Sequence, residues 1–475
     1  MFNQAKKHGI ISLSSVALII SLFIYFKSLN YYFFQDDFYE LLISKVANFN
    51  EFLKLFAFQE NRSSYRPIGL QLYYFVCQTI FGLNPTYFRI FTFILFFSTY
   101  FLIAKSIGKM LSNKLTGHLT GTFWVTSSIH YLSLSWIAAA WLIIGSFFFF
   151  LTTNIYLTYT NTKRTVFYVF SLISFILTMG SFEFFIAWPV IIGIWLKLFL
   201  KKDTKYIFKN LSPFIFIVII YVIARLSLAS LPNISEYKIQ INTNTLKQLF
   251  WYVLWSFNIP EEFKKQIINN VLSFNPIFLR DFGTVVIKSF IAMAVIIVLG
   301  IIYPFTQISK KIHILNISVL CSAWFVTAII PVLVFPNHSF AMYLALPSIG
   351  IYIFMSHLLS STKKPLLIPI VLVIWFASSI ITVNFYRQIF WVVESQNFAR
   401  KFSQDIQQRF PSLPKESVVL YPLEDKRHQQ AILNENAIKV LYRDPTIRLF
   451  FSEKDLDKAV KSGQIKSENV LLFNN

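Results

Sequence analysis

The sequence predicts an all-α polytopic membrane protein of about eleven transmembrane helices, closed by a small C-terminal α/β domain outside the cytoplasm. Three observations predict it. The 475-residue chain is 55% hydrophobic and only 14% charged, too apolar for a soluble core to absorb. Its apolar stretches of about 20 residues are each long enough to cross a hydrocarbon layer of about 30 Å. Lys and Arg gather in alternate loops, and from about residue 386 charges become frequent and long apolar runs stop.

The spans are read near 9–28, 87–106, 115–131, 137–158, 165–181, 184–201, 211–229, 285–304, 313–334, 341–360 and 365–385. The first is followed by Lys27 and bulky aromatics, not by a small-residue cleavage site, so it reads as a retained helix and not a signal peptide. Within an outer loop at 30–86, residues 39–57 put Leu42, Val46, Phe49, Leu53 and Phe56 on one face, as an amphipathic helix lying in the membrane interface. Residues 67–82 are apolar but short for a crossing and read as a second interfacial or re-entrant helix. A second outer loop, 230–284, carries LFWYVLWSF, whose aromatics suit the headgroup region. Residues 1–385 thus form a membrane domain. Residues 386–475 form the small domain, with strands in SVVLYPL and TIRLFFSE and helices near 388–410 and 428–442.

The net charge of +21 would fit nucleic acid, but its distribution argues for topology instead. With a cytoplasmic N-terminus, the inner loops carry Lys6 and Lys7, then Lys105, Lys109 and Lys114, then Lys163 and Arg164. Lys201, Lys202, Lys205 and Lys209 follow, then Lys310 and Lys311, then Lys363 and Lys364. The short outer turns at 131–136, 180–183 and 335–340 carry no Lys or Arg. Every short loop agrees, so the reading is a multi-pass integral membrane protein of a bacterial-type inner membrane, with membrane lipids as partners and no nucleic acid. Cys77 and Cys321 lie in apolar segments and supply no disulfide or metal framework.

Acids are scarce. No Asp or Glu stands between Glu60 and Glu183, or between Asp281 and Glu394. Against that background the adjacent Asp36 and Asp37 in YYFFQDDFYE, and Glu183 in an outer turn, are candidate catalytic carboxylates, since a carboxylate accepts a proton from a hydroxyl nucleophile. The plainer readings are a helix N-cap for one aspartate and a favourable helix-dipole position for Glu183. The same topology puts Arg66, His130, Arg225 and His338 on the outer face, with arginines suited to an anionic phosphate. Arg89 reads as a helix-end side chain that snorkels. Two adjacent acids let one act as base while the other orients it or binds a divalent cation. No other cofactor is called for.

The chain resembles the GT-C-type, polyprenyl-phosphate-dependent glycosyltransferases, and is most similar to the membrane portion of the TMTC-like protein O-mannosyltransferases. QDDF matches the acidic motif of the first outer loop. YRPIGLQLYYFVCQTIFGLNPTYFRIFTFILF matches a Tyr-Arg-Pro segment with a Phe-Gly-Leu-Asn-Pro turn and the next span. SSIHYLSLSWIAAAWLIIGSFFFFLTTNIYLTY follows the third and fourth spans, MGSFEFFIAWPVIIGIWL a Ser-Lys-Glu…Pro segment, and YLALPSIGIYIF a Tyr-Leu-Pro-Ser-Ile-Gly segment. The match covers most of residues 1–385. It implies a polyprenyl-phosphate-linked sugar as donor and a protein, glycan or lipid hydroxyl as acceptor. It also implies an outer-loop aspartate that activates the acceptor and basic groups that hold the lipid-linked phosphate. On this chain the base is read as Asp36 with Asp37 and Glu183 in support, and Tyr65, Arg66, His130, Arg225, His338 and Tyr343 are read as the residues around the substrates. The departures are Phe182 where the family has Lys, no Glu-Arg pair before Tyr343, no Arg in WIAAAW, and no tetratricopeptide array after the spans. A transporter or flippase, or a non-catalytic membrane scaffold, is the alternative reading.

Overall fold

The computed structural model describes residues 2–57, 65–228, 237–268, 273–307 and 311–473. Apolar periodicity becomes helix almost throughout. The chain opens with α1 (Phe2–Tyr25). Next come α2 (Asp36–Ile43) and α3 (Phe49–Lys54), where a single amphipathic helix over 39–57 was expected. The break has a local cause. Asn48 caps α3 by accepting from the Glu51 N–H at 3.0 Å, and the Glu51 carboxylate reaches back to the Ala47 N–H at 2.7 Å, so the backbone is turned outward just where a continuous helix would run. After a π-helical turn at Pro67–Leu72, α4 spans Tyr73–Phe81, a short apolar helix where one was read.

The bundle proper follows with α5 (Pro85–Met110), α6 (Lys114–Val125), the short α7 (Tyr131–Ser135), α8 (Trp141–Thr162), α9 (Thr165–Met179), α10 (Trp188–Leu198) and α11 (Thr204–Leu228). Then come α12 (Thr243–Trp255), the hairpin of β1 (Ile267–Ile268) and β2 (Ser273–Phe274), α13 (Pro276–Ile297), and, beyond a π-helical turn, α14 (Tyr303–Thr306). The last bundle helices are α15 (Lys311–Leu333), α16 (Ser348–Ser361) and α17 (Leu367–Ile389).

Among the described residues, seven helices are long and apolar enough to cross a membrane: Gly9–Asn30, Pro85–Met110, Ile137–Thr162, Thr204–Ser227, Pro276–Thr306, Ile314–Leu333 and Leu367–Ile389. The other four read spans fall on α6, α9, α10 and α16, of 12, 15, 11 and 14 residues. Short 3₁₀ turns lie beside them at Ser128–His130, Glu183–Ala187 and Ala341–Ala345, and α6 and α16 are largely buried by their neighbours. Apolar side chains cover the outside as well as the core: Ile219, Ile220 and Ile223 of α11, and Val169, Phe170 and Ile173 of α9, are all exposed. Such a surface suits lipid, not water.

Close helix contact is set by glycine. A Cβ on Gly117 of α6 would stand 2.1 Å from the Ala104 carbonyl oxygen of α5, so only glycine lets the two backbones pack this tightly. Arg89, read as a snorkelling side chain, is instead buried. Its guanidinium donates to the carbonyls of Tyr31 (3.1 Å), Tyr32 (3.1 Å), Leu134 (3.3 Å) and Ser135 (2.7 Å), tying the extended stretch before α2 to the end of α7. The aromatics of LFWYVLWSF also turn inward: Trp251, Tyr252, Leu254, Trp255 and Phe257 are core residues, while Phe250 stays outside.

Beyond α17 come α18 (Trp391–Arg409), β3 (Val418–Leu420), α19 (Lys426–Ala431), α20 (Asn436–Tyr442), β4 (Arg448–Phe450), α21 (Glu453–Lys461) and β5 (Val470–Leu472). The three strands make a parallel sheet ordered β4-β3-β5. It is anchored to the rest of the chain: the Gln35 N–H donates to the Ala431 carbonyl at 2.8 Å, and the Tyr32 N–H to Gln396 Oε1 at 3.1 Å.

Candidate active site

A cavity of about 1380 Å³ opens where α2, the π-helical turn at Pro67–Leu72, the turn between α7 and α8, the α9–α10 and α15–α16 turns, the end of α11 and the starts of α18 and α19 meet. It lies at one end of the bundle. The opposite ends of the same helices carry the basic turns, with Lys109 and Lys114, Lys163 and Arg164, Lys201 and Lys202, and Lys363 and Lys364.

The aspartate pair is divided. Gln35, the N-cap of α2, sits at φ 51° and ψ −127°, a costly conformation for a residue with a Cβ. From this kink Asp36 is exposed and lines the cavity, whereas Asp37 is buried. Asp37 Oδ1 accepts from the Tyr74 hydroxyl (2.6 Å) and the Ala138 N–H (2.7 Å), and Oδ2 from the Phe34 N–H (3.0 Å). Burial pushes its carboxyl up to about 6, against the pull of those donors and of Arg89. Asp37 therefore joins three segments in the manner of a structural carboxylate, and the pair does not present two carboxylates to one cation. Among the described residues no group of three or more His, Cys, Asp or Glu is arranged to hold a metal ion.

Arg66, which also lines the cavity, precedes Pro67 at the start of the π-helical turn. Its guanidinium carbon lies 4.0 Å from the Trp141 ring centroid and 4.5 Å from that of Phe182, and Nη2 is 3.7 Å from Glu183 Oε1. Phe182 is thus one face of an aromatic clamp on this arginine. The turn fits because Gly69 lies against Trp141 and Ser181: a Cβ there would be 2.7 Å from Trp141 Cβ. Arg225, His338 and Tyr343 also line the cavity, with the His338 ring 4.4 Å from Tyr237.

Two residues read as site members are elsewhere. His130 is buried with its ring 4.3 Å from Trp124 and 5.0 Å from Phe96, a core packing position. The Tyr65 hydroxyl donates to the Phe56 carbonyl at 2.8 Å and does not line the cavity. Conversely, sequence reasoning missed Glu394, Arg427 and His428 on the far wall, and Trp136 and Trp391 beside them. The dense charged run EDKRH at 424–428 is a visible signal for Arg427 and His428.

Beneath the α15–α16 turn lies a buried support. Glu261 accepts from the Ala341 N–H at 2.5 Å, and burial raises its carboxyl to about 7. Lys264 donates to the Gln248 side chain, the Pro336 carbonyl (3.0 Å) and Ser339 Oγ (2.8 Å), and burial lowers its ammonium to about 8. These bonds hold the segment that bears His338 and Tyr343.

Compared with known proteins, the chain matches no family model and no curated protein.

Proposed function

We propose that the chain is a membrane glycosyltransferase that moves a sugar from a polyprenyl-phosphate carrier to an acceptor hydroxyl in this cavity, on the extracytoplasmic side. The observation that carries the reading is one cavity lined by both an exposed carboxylate, Asp36, and an aromatic-clamped arginine, Arg66. The acceptor oxygen attacks the anomeric carbon, its proton passes to Asp36, and the bond from the anomeric carbon to the phosphate oxygen breaks. The electron pair leaves with the polyprenyl phosphate, whose charge Arg66 and Arg225 offset. Glu183 keeps Arg66 oriented, and Asp37 fixes the start of α2.

In this reading the chain crosses the bilayer about eleven times, with a cytoplasmic N-terminus and the residues from 386 outside. The basic turns at the far end of the bundle support that orientation.

The test incubates the purified protein with a panel of labelled polyprenyl-phosphate sugars. Lipid-dependent release or transfer of sugar, lost in Asp36→Asn, is the expected result. Passage of intact lipid-linked sugar across a vesicle membrane without any transfer would favour the transporter instead.

A further inference from the structure

The two walls of the cavity differ in charge and in chemistry. One carries Arg66 and Arg225 with Glu183, and Lys265 paired to Glu262 at 2.9 Å, and suits an anion, while Glu40 of α2 adds a further carboxylate to the lining. The other carries Asp36, Glu394, Arg427 and His428, with Asp425 behind them, and has no excess of positive charge to hold a second phosphate. Its polar groups alternate donor and acceptor. Glu394 Oε1 is 3.5 Å from His428 Nε2 and 3.8 Å from Arg427 Nη1, and Asp425 Oδ2 accepts from Arg427 Nη2 at 2.9 Å. His428 is stacked flat on Phe398, ring centroids 4.2 Å apart at 6°.

Beside this polar row stand two indoles. Trp136 and Trp391 meet edge to face at 5.5 Å, both packed on Phe34, which holds them in place. The buried Trp136 Nε1–H has no acceptor among the described residues, although an indole donor at such a site ordinarily finds one. Rigid aromatic faces next to a row of carboxylate, guanidinium and imidazole suit a ligand with apolar C–H faces and many hydroxyls. The wall is also locked to the proposed base, since the Gln35 N–H next to Asp36 donates to the Ala431 carbonyl just after His428.

We infer that this wall is the acceptor subsite and that the acceptor is a neutral carbohydrate chain, seated on Trp136 and Trp391 and hydrogen-bonded by Glu394, Arg427 and His428. The inference rests on the glycosyltransferase reading, and it identifies the acceptor class for that site. A glycan hydroxyl held here faces Asp36, while the phosphate of the donor stays on the Arg66 side.

The test titrates the full-length protein in detergent with linear oligomers of glucose, mannose and N-acetylglucosamine, and separately with a polyprenyl phosphate. At least one oligomer is expected to bind. Trp391→Ala and Glu394→Gln are each expected to weaken it roughly tenfold or more while polyprenyl-phosphate binding stays unchanged. Arg66→Ala is expected to do the reverse. Glu394→Gln changes a half-exposed carboxylate, so it remains informative if Trp391→Ala does not fold. The inference is overturned if no oligomer binds, if folded Glu394→Gln binds oligomers normally, or if transfer goes only to a Ser/Thr peptide. If an oligomer binds as expected but no polyprenyl phosphate does, the carbohydrate subsite stands and the glycosyltransferase reading falls.

Discussion

The Tyr74 hydroxyl donates to Asp37 Oδ1 across 2.6 Å, and with the Ala138 N–H at 2.7 Å it turns that carboxylate away from the cavity its neighbour Asp36 lines. The two aspartates are adjacent in sequence and opposite in role, so their asparagine variants separate stability from turnover.

Asp36→Asn keeps the size and removes the basicity of an exposed group. Turnover with the preferred donor is expected to fall roughly 10²-fold, while the melting temperature of the detergent-purified protein stays put. Near-native transfer in this variant would remove Asp36 as the base.

Asp37→Asn turns an NH₂ group toward N–H and O–H donors, and the protein is expected to melt lower at neutral pH by about 1–3 kcal/mol. The pH dependence has a defined sign. Burial raises Asp37 from 3.8 to about 6, so the folded state holds the proton more tightly than the unfolded chain. Its contribution to stability is full below about pH 4 and is lost as pH rises through about 6. Wild type should therefore lose on the order of 3 kcal/mol relative to Asp37→Asn across that window. Parallel melting curves for the two proteins over that range would refute it.

Arg66 is held by two rings and a carboxylate, so its binding geometry depends on Phe182 as well as on its own charge. Arg66→Lys keeps the charge but loses the planar fork and the stack, and apparent affinity for a polyprenyl phosphate should drop about tenfold. Phe182→Leu should weaken it a few-fold without touching the charge. Equal affinity in both variants would place the phosphate elsewhere.

Lys264 is the half-buried support of the segment before α16. Lys264→Met strands the Pro336 carbonyl and the Gln248 side chain, and should destabilise the protein by about 1–3 kcal/mol. Because His338 and Tyr343 ride on that segment, turnover should fall even at a temperature where the variant is fully folded. Unchanged activity there would detach the segment from the site.

Orientation is tested by cysteine labelling. Cys77 and Cys321 are both buried, so single cysteines introduced at exposed positions report cleanly. Ser112→Cys, in the turn between α5 and α6, should react only from the cytoplasmic side, and Ser462→Cys, at the end of α21, only from outside. Labelling of both from one side would undo the shared-face argument for the site.

Helix positions and the basic turns were legible along the chain because both are local signals. A crossing segment satisfies its own backbone hydrogen bonds, so its apolar run marks it without reference to any partner, and Lys and Arg sort by loop. The aromatics of LFWYVLWSF show where local reading stops: apolar residues suit lipid and core equally, and only packing against neighbouring helices turned Trp251 and Trp255 inward. The same holds for the acids and bases. Nothing near Asp37 in sequence foretells the Ala138 N–H, 101 residues on, that makes it structural. Arg89 reads as a snorkelling side chain until four carbonyls from two distant segments, the stretch before α2 and the end of α7, converge on it. Glu394, Arg427 and His428 become cavity residues only because backbone bonds dock the chain's end against the start of α2. Side-chain direction at a junction of many segments is set by long-range contacts, and a linear pattern carries no record of them.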